Sequence, residues 1–169
     1  MDVETAIRTR RTHKAFGPEP LPRELLEELL ALAKWAPNHH LTVPWRFRVV
    51  GPATLVRLKD AAGPEGATKL DRCPTLVVVS SVLDSDPVQD EEDLHATAVA
   101  SYIVLLAAHG RDLAGYWRTP ALLREEEGRA ALGLPPGERS VGLLHLGYPR
   151  QERPVPERPG AAATVTYLD

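Results

Sequence analysis

The segment that most constrains the fold is Leu94–His109, LHATAVASYIVLLAAH. It has the length of a helix and is apolar almost all the way round. Such a helix must be buried on every side, either in a large core or between subunits. At 169 residues the chain fits one domain with a sizeable core, so a subunit interface is the attractive home for part of this helix. It does not read as a membrane span. The apolar run Ala96–Ala108 is shorter than the roughly 20 residues required, and Ser101 and Tyr102 interrupt it. The acidic stretch before it (Asp84, Asp86, Asp90, Glu91, Glu92, Asp93) lacks the glycine and terminal glutamate of a calcium loop. It reads instead as a helix entry, with carboxylates against the positive end of the dipole. Gly110 is the expected stop.

The other elements follow from periodicity and punctuation. Asp2 to about Arg10 reads as a short helix with an acidic start. Leu25, Leu26, Leu29, Leu30, Leu32 and Ala33 repeat at helical spacing after Pro22 and define an amphipathic helix. Trp45, Phe47 and Val49 alternate with Arg46 and Arg48, as in a half-buried strand. Ala53–Ala62 reads as a helix, and 63–71 as a polar, glycine-containing loop. Leu76–Val79 and Val141–Leu146 are apolar without alternation, which suits strands covered on both faces. Thr119 and Pro120 match an N-cap and first helical residue for a helix to about Leu132, stopped by Gly133. The Pro- and Arg-rich tail reads as an arm over a neighbour, with a late strand at Thr164–Tyr167.

Three stretches crowd chemistry-bearing side chains. Arg10, Arg11, Thr12, His13 and Lys14 put four cationic or titratable groups and a hydroxyl in five residues. That cluster repels itself unless an anion sits on it, although cations at a helix C-terminus are also simply favourable. Ala33–Val50 turns from helix to strand between Pro37 and Pro44 and shows Trp35, Asn38, His39, His40 and Trp45 at one corner. Each proline should hold the residue before it, Ala36 and Val43, extended. An incidental helix-to-strand loop remains the alternative there. Gly115–Thr119 (GYWRT) places Arg118 and Thr119 at the expected helix N-terminus, a natural seat for anionic ligand atoms.

Net charge of −3 gives no general attraction to nucleic acid or anionic membrane. The lone Cys73 excludes an intrachain disulfide, fits a reducing compartment such as the cytoplasm, and reads as a buried hydrophobe. There is no secretory signal pattern, internal repeat, Walker loop, GxGxxG, zinc spacing or nucleophile elbow.

Those three stretches and a fourth occur in a telling order: Arg10-Arg11-Thr12, then Ala36-Pro37-Asn38-His39 with Pro44-Trp45-Arg46-Phe47, then Gly115–Thr119, then Leu146-Gly147-Tyr148-Pro149 at the end of the last core strand. In this the chain resembles the nitroreductase family of FMN-dependent enzymes, especially its short, compact subgroup, from about Ala6 to Tyr167. The resemblance implies an α+β fold, a mostly antiparallel sheet flanked by helices, as a single domain over 1–169 with a core to about 149 and a C-terminal arm over the dimer partner from about 150. It implies a homodimer with two FMN sites at the interface. Arg10, Arg11 and Thr12 would hold the cofactor, Trp35 and His39 would contact it from the partner subunit, and Trp117, Arg118 and Thr119 would complete the set. No protein residue need act as catalyst, because the redox step belongs to FMN, and no metal is implied. The implied reaction is ping-pong hydride transfer from NAD(P)H, through flavin N5, to nitroarenes, quinones or enones.

The chain departs from the family pattern at three places. Val43 stands where an amide residue often precedes Pro-Trp, Trp35 replaces a basic or small residue, and Arg111–Ala114 replaces a glycine-rich turn. These departures motivate an alternative, a flavin-binding or storage protein without turnover. A flavin-fragmenting or dehalogenating relative is a third reading, because one fold hosts several chemistries.

Overall fold

The computed structural model describes the chain except residues 85, 153, 156, 161–163 and 169. Four antiparallel strands form one sheet in the order β1-β2-β4-β3, and helices cover both its faces, an α+β architecture. The strands are β1 (Trp45–Val49), β2 (Thr75–Val82), β3 (Ala114–Arg118) and β4 (Glu138–Gly147). The helices are α1 (Val3–Thr9), α2 (Arg23–Ala31), α3 (Pro52–Leu70), α4 (Pro87–His109) and α5 (Glu126–Leu132).

The unbroken apolar run of β2 is explained by its place beside the central β4. Successive side chains of a strand point to opposite faces. Val77 and Val79 therefore join α2 and α4 in one core, while Leu76 and Val78 join Leu58, Leu70 and Leu143 in a second core beneath α3 and α5. All four are at most 2% exposed.

α4 is capped by the Asp86 carboxylate, which accepts from the Val88 N–H at 2.9 Å, and Pro87 occupies its first turn. The acidic stretch is thus its helix entry, and no metal-holding cluster occurs among the described residues. Ala96, Ala100, Val104 and Ala108 face the sheet. In the single chain α4 is not buried on every side: Val99 is 40% exposed. No helix among the described residues is long and apolar enough to cross a membrane.

Four expectations are corrected. GYWRT does not lead into a helix; Ala114–Arg118 is the edge strand β3, paired with Leu143–Gly147. Thr119 caps nothing, for a short 3-10 turn begins at Ala121 and α5 at Glu126. Tyr116 and Trp117 suit a strand, and pairing with β4 outweighs the Thr-Pro signal. The expected loop 63–71 is largely helical: α3 continues to Leu70 after a kink at Gly63, where φ is 65° and ψ 178°, a conformation nearly exclusive to glycine. Ala36 is extended as expected, but Val43 is not, with φ 47°. The late strand is missing too: Thr164–Leu168 carries no strand pairing, and Tyr167 and Leu168 are about nine-tenths exposed. The small residues 161–163 of that segment lie outside the described ones.

Candidate functional site

The cationic stretch leaves α1 and runs beside β3. Thr12 bridges Gly115 in parallel, and the His13 N–H donates to the Gly115 carbonyl at 3.1 Å. Arg10 is thereby held over the Tyr102 ring of α4, 5.5 Å from its centroid. Arg11 donates back to the Thr9 carbonyl. The Nε atoms of both arginines are buried without a hydrogen-bond partner, and neither side chain makes an ion pair among the described residues. Two adjacent guanidinium groups with undischarged donors are a site prepared for an anion.

At the end of α4, His109 meets this pair. Its Nε2 lies 2.8 Å from Thr9 Oγ1. Partial burial, then Arg11 and Arg10, hold its pKa below the ordinary value, against a smaller upward pull from Asp112. Arg11, His13, His109 and Arg150 line one cleft of about 630 Å³, with Asp112 and Glu152 at its wall.

The proline corner docks at the opposite end of α4. His39 Nδ1 pairs with Glu92 at 2.7 Å, and Thr42 donates to Asp93 at 2.6 Å. The Asn38 side chain accepts from the Val43 N–H at 2.9 Å. Between these anchors His40, Leu41 and Val43 all take positive φ, 54°, 54° and 47°. For a β-branched valine that is a genuine outlier. The anchors on α4 and Asn38 hold the corner in a form its own backbone disfavours, and Trp35, just before it, is 73% exposed.

The last group divides across the sheet. Trp117 Nε1 donates to the Val141 carbonyl at 3.3 Å, where a bulge in β4 frees it from the β2 ladder. Gly142 makes room, because a Cβ there would lie 2.0 Å from Trp117 Nε1. Thr119 opens on the same side, into a cleft of about 700 Å³ against the first turns of α4. Arg118 points to the other face, 6.0 Å from the Tyr116 ring centroid and 3.4 Å from the Lys69 carbonyl.

A family model described as "Nitroreductase family" matches residues 7–67. A putative NAD(P)H nitroreductase of Bacillus subtilis, YfhC, is 29% identical over 90% of this chain and 87% of its own length. A putative NADH dehydrogenase/NAD(P)H nitroreductase of Methanothermobacter thermautotrophicus is 31% identical over 89% of this chain and 79% of its own. The chain belongs to the nitroreductase family. Among solved structures, a nitroreductase-like family protein from Bacillus cereus superposes with a TM-score of 0.90 at 26% identity, covering 100% of this chain and 97% of that one. A nitroreductase with bound FMN from Desulfitobacterium hafniense shares the fold, with a TM-score of 0.74 at 24% identity and full coverage of both chains.

Within one chain this family member does not assemble all eight expected residues. Arg10, Arg11 and Thr12 cluster with β3 and the last turns of α4. Trp35 and His39 stand at its start, ten residues and about 15 Å of helix from Glu92 to Tyr102. Arg118 lies across the sheet from Trp117 and Thr119. Two members of the cationic cleft had no signal in the sequence: His109 reads as the last residue of an apolar helix, and Arg150 as one arginine of a Pro-rich tail.

Proposed function

We propose that this protein is an FMN-dependent NAD(P)H oxidoreductase working as a homodimer, with electron-poor acceptors such as nitroaromatics, quinones and enones as its second substrates. The observation that carries the reading is the Arg10/Arg11 pair, whose Nε donors are buried and unused, with Arg11 lining an open cleft and Arg10 over the Tyr102 ring. Guanidinium groups fit a phosphate bidentately, so these residues fit the phosphate end of FMN. Thr12 would add a hydroxyl, and Trp117, Arg118 and Thr119 the remaining contacts from the same chain. Trp35 and His39 would come from the partner subunit, where the exposed indole can cover a flat ring. FMN, when bound, supplies the hydride chemistry. The chain's residues orient it, exclude water and fix the substrate's distance. His39 is held by Glu92 and serves orientation rather than proton transfer. The whole chain is one domain in this reading, and the stretch from about residue 150 is the arm that reaches the partner.

The test is a visible spectrum of the purified protein, followed by NAD(P)H consumption with nitrofurazone or menadione. A yellow protein that turns over is expected; a protein that stays colourless in excess FMN defeats the reading. One observation favours a storage protein instead. Val43 brings no polar side-chain group, and its N–H is already taken by Asn38. Rapid mixing of the flavin-loaded protein with NADPH separates the two readings, since storage predicts no bleaching.

A further inference from the structure

We propose that His109 is a titratable third member of the anion clamp formed by Arg10 and Arg11, and that it takes up a proton when a phosphate dianion enters the cleft. The inference deepens the FMN reading and rests on it for the natural ligand.

The hydrogen-bond pattern fixes where that proton goes. The Thr9 hydroxyl has one hydrogen, which it donates to the Thr5 carbonyl at 2.6 Å. The Met1 thioether at 3.9 Å is a weaker acceptor and does not compete. Thr9 Oγ1 must therefore accept from His109, so Nε2 carries the hydrogen in the neutral ring. The vacant position is Nδ1, which is where the second proton adds. Thr9 thus sets the tautomer and holds the ring beside the arginines.

The charges around the ring are arranged as a switch. Partial burial opposes a positive imidazole first, and then Arg11 and Arg10, from the segment after α1. Asp112, from the turn after α4, favours it. So does the ring's own place in the last turn of α4, at the negative end of the helix dipole. His13, Arg150 and Glu152 face it across the cleft. With the cleft empty, partial burial and then the repulsion of the two guanidinium charges hold the ring's pKa below its ordinary value. A dianion on Arg10 and Arg11 cancels that repulsion and leaves Asp112, the helix terminus and the anion itself pulling the ring toward its charged form. Proton and anion then bind with mutual support, and by linkage the affinity for the anion rises as pH falls through the range where the ring titrates.

Sulfate is the clean probe, because it stays dianionic from pH 5.5 to 8.5, whereas a phosphate monoester titrates near pH 6. Sulfate and FMN affinities are measured for the full chain, freed of flavin, with wild type and His109→Gln side by side. Glutamine keeps an N–H for Thr9 and loses the titration. Wild type is expected to bind sulfate about 5–10-fold more tightly at pH 6 than at pH 8, and the variant less than twofold so. The His109 Cε1–H resonance should titrate at a higher midpoint with sulfate than without. Parallel pH profiles for the two proteins, or a midpoint that sulfate does not move, overturn the proposal and leave the FMN reading standing. Failure of FMN to bind at any pH removes the FMN reading, and the sulfate arm still decides the role of His109. Riboflavin, which lacks the phosphate, should show no pH dependence that His109→Gln abolishes.

Discussion

His145 lies near the C-terminal end of β4, fully buried, between the rings of Phe16 and Tyr116 at centroid distances of 6.2 and 5.5 Å. Neither ring nitrogen has a hydrogen-bond partner. Burial, then Arg118 and Arg72, push its pKa down to about 4. The unfolded chain binds this proton near pH 6.5, the folded chain only near pH 4, so stability is intact above 6.5 and falls as pH drops toward 4. The loss should approach about 3 kcal/mol, read from urea unfolding at pH 7.5, 5.5 and 4. His145→Leu should abolish most of that slope and leave stability at pH 7.5 no lower, since two unsatisfied polar atoms leave the core. An unchanged slope would assign acid lability elsewhere. Gly142 makes a second residue-scale case. Its alanine variant drives a methyl into Trp117 and the Arg118 carbonyl and should cost about 1–3 kcal/mol by thermal unfolding. At this scale the sequence revealed groups whose chemistry is local. Arg10 and Arg11 stood out because they are adjacent. His109, a hundred residues from its Thr9 partner, had no neighbour in sequence to mark it.

At the scale of elements, legibility followed how strongly one local signal dominated. α4 was readable from its composition and acidic entry, and β2 from its unbroken valines. β3 was misread because Thr119-Pro120 imitates a cap, while the reason for a strand, pairing with β4, lies about thirty residues away. α3 was cut short because Gly63 and Pro64 look like a terminus. In the fold Gly63 bends the chain, and Leu70 returns to the second core beside Leu58. Gly63→Ala should therefore lower stability by about 1–3 kcal/mol, although open space surrounds the position, because the backbone conformation itself excludes a side chain. A melting temperature equal to wild type would show that the kink relaxes freely. The proline corner yields the opposite prediction. Val43→Gly relieves a valine at φ 47° and should leave stability unchanged or raise it by up to about 1 kcal/mol, despite glycine's larger unfolded-state entropy. Asn38→Ala removes the group that accepts from the Val43 N–H and should cost about 1 kcal/mol. A Val43→Gly variant clearly weaker than wild type would mean that valine's side chain, not the backbone, sets the corner.

The whole molecule leaves an apolar surface around α4 that one chain does not cover. Val99 is exposed on α4 itself, Val3 and Ile7 on the adjoining α1, and Trp35, Leu41 and Val43 on the corner docked at its start. Exposed apolar surface on this scale marks an interaction face. A twofold axis across α4 would set the two helices antiparallel, bringing the corner of one chain toward the arginines of the other. That arrangement closes the gap of about 15 Å that separates the two groups within a chain. Val99 lies near the midpoint between Glu92, where the corner docks, and His109, where the clamp ends, so it falls near such an axis. In the proposed homodimer, Val99→Glu would bury two unpaired carboxylates face to face, and that dimer should weaken at least ~100-fold, from a cost of 3 kcal/mol or more. Light scattering would follow the mass, circular dichroism the intact fold, and fluorescence titration the flavin. Dimer and FMN affinity should fall together, although Arg10, Arg11 and His109 are untouched. A monomeric variant that still binds FMN as wild type does would mean that one chain suffices for the site, and that Trp35 and His39 belong to some other contact.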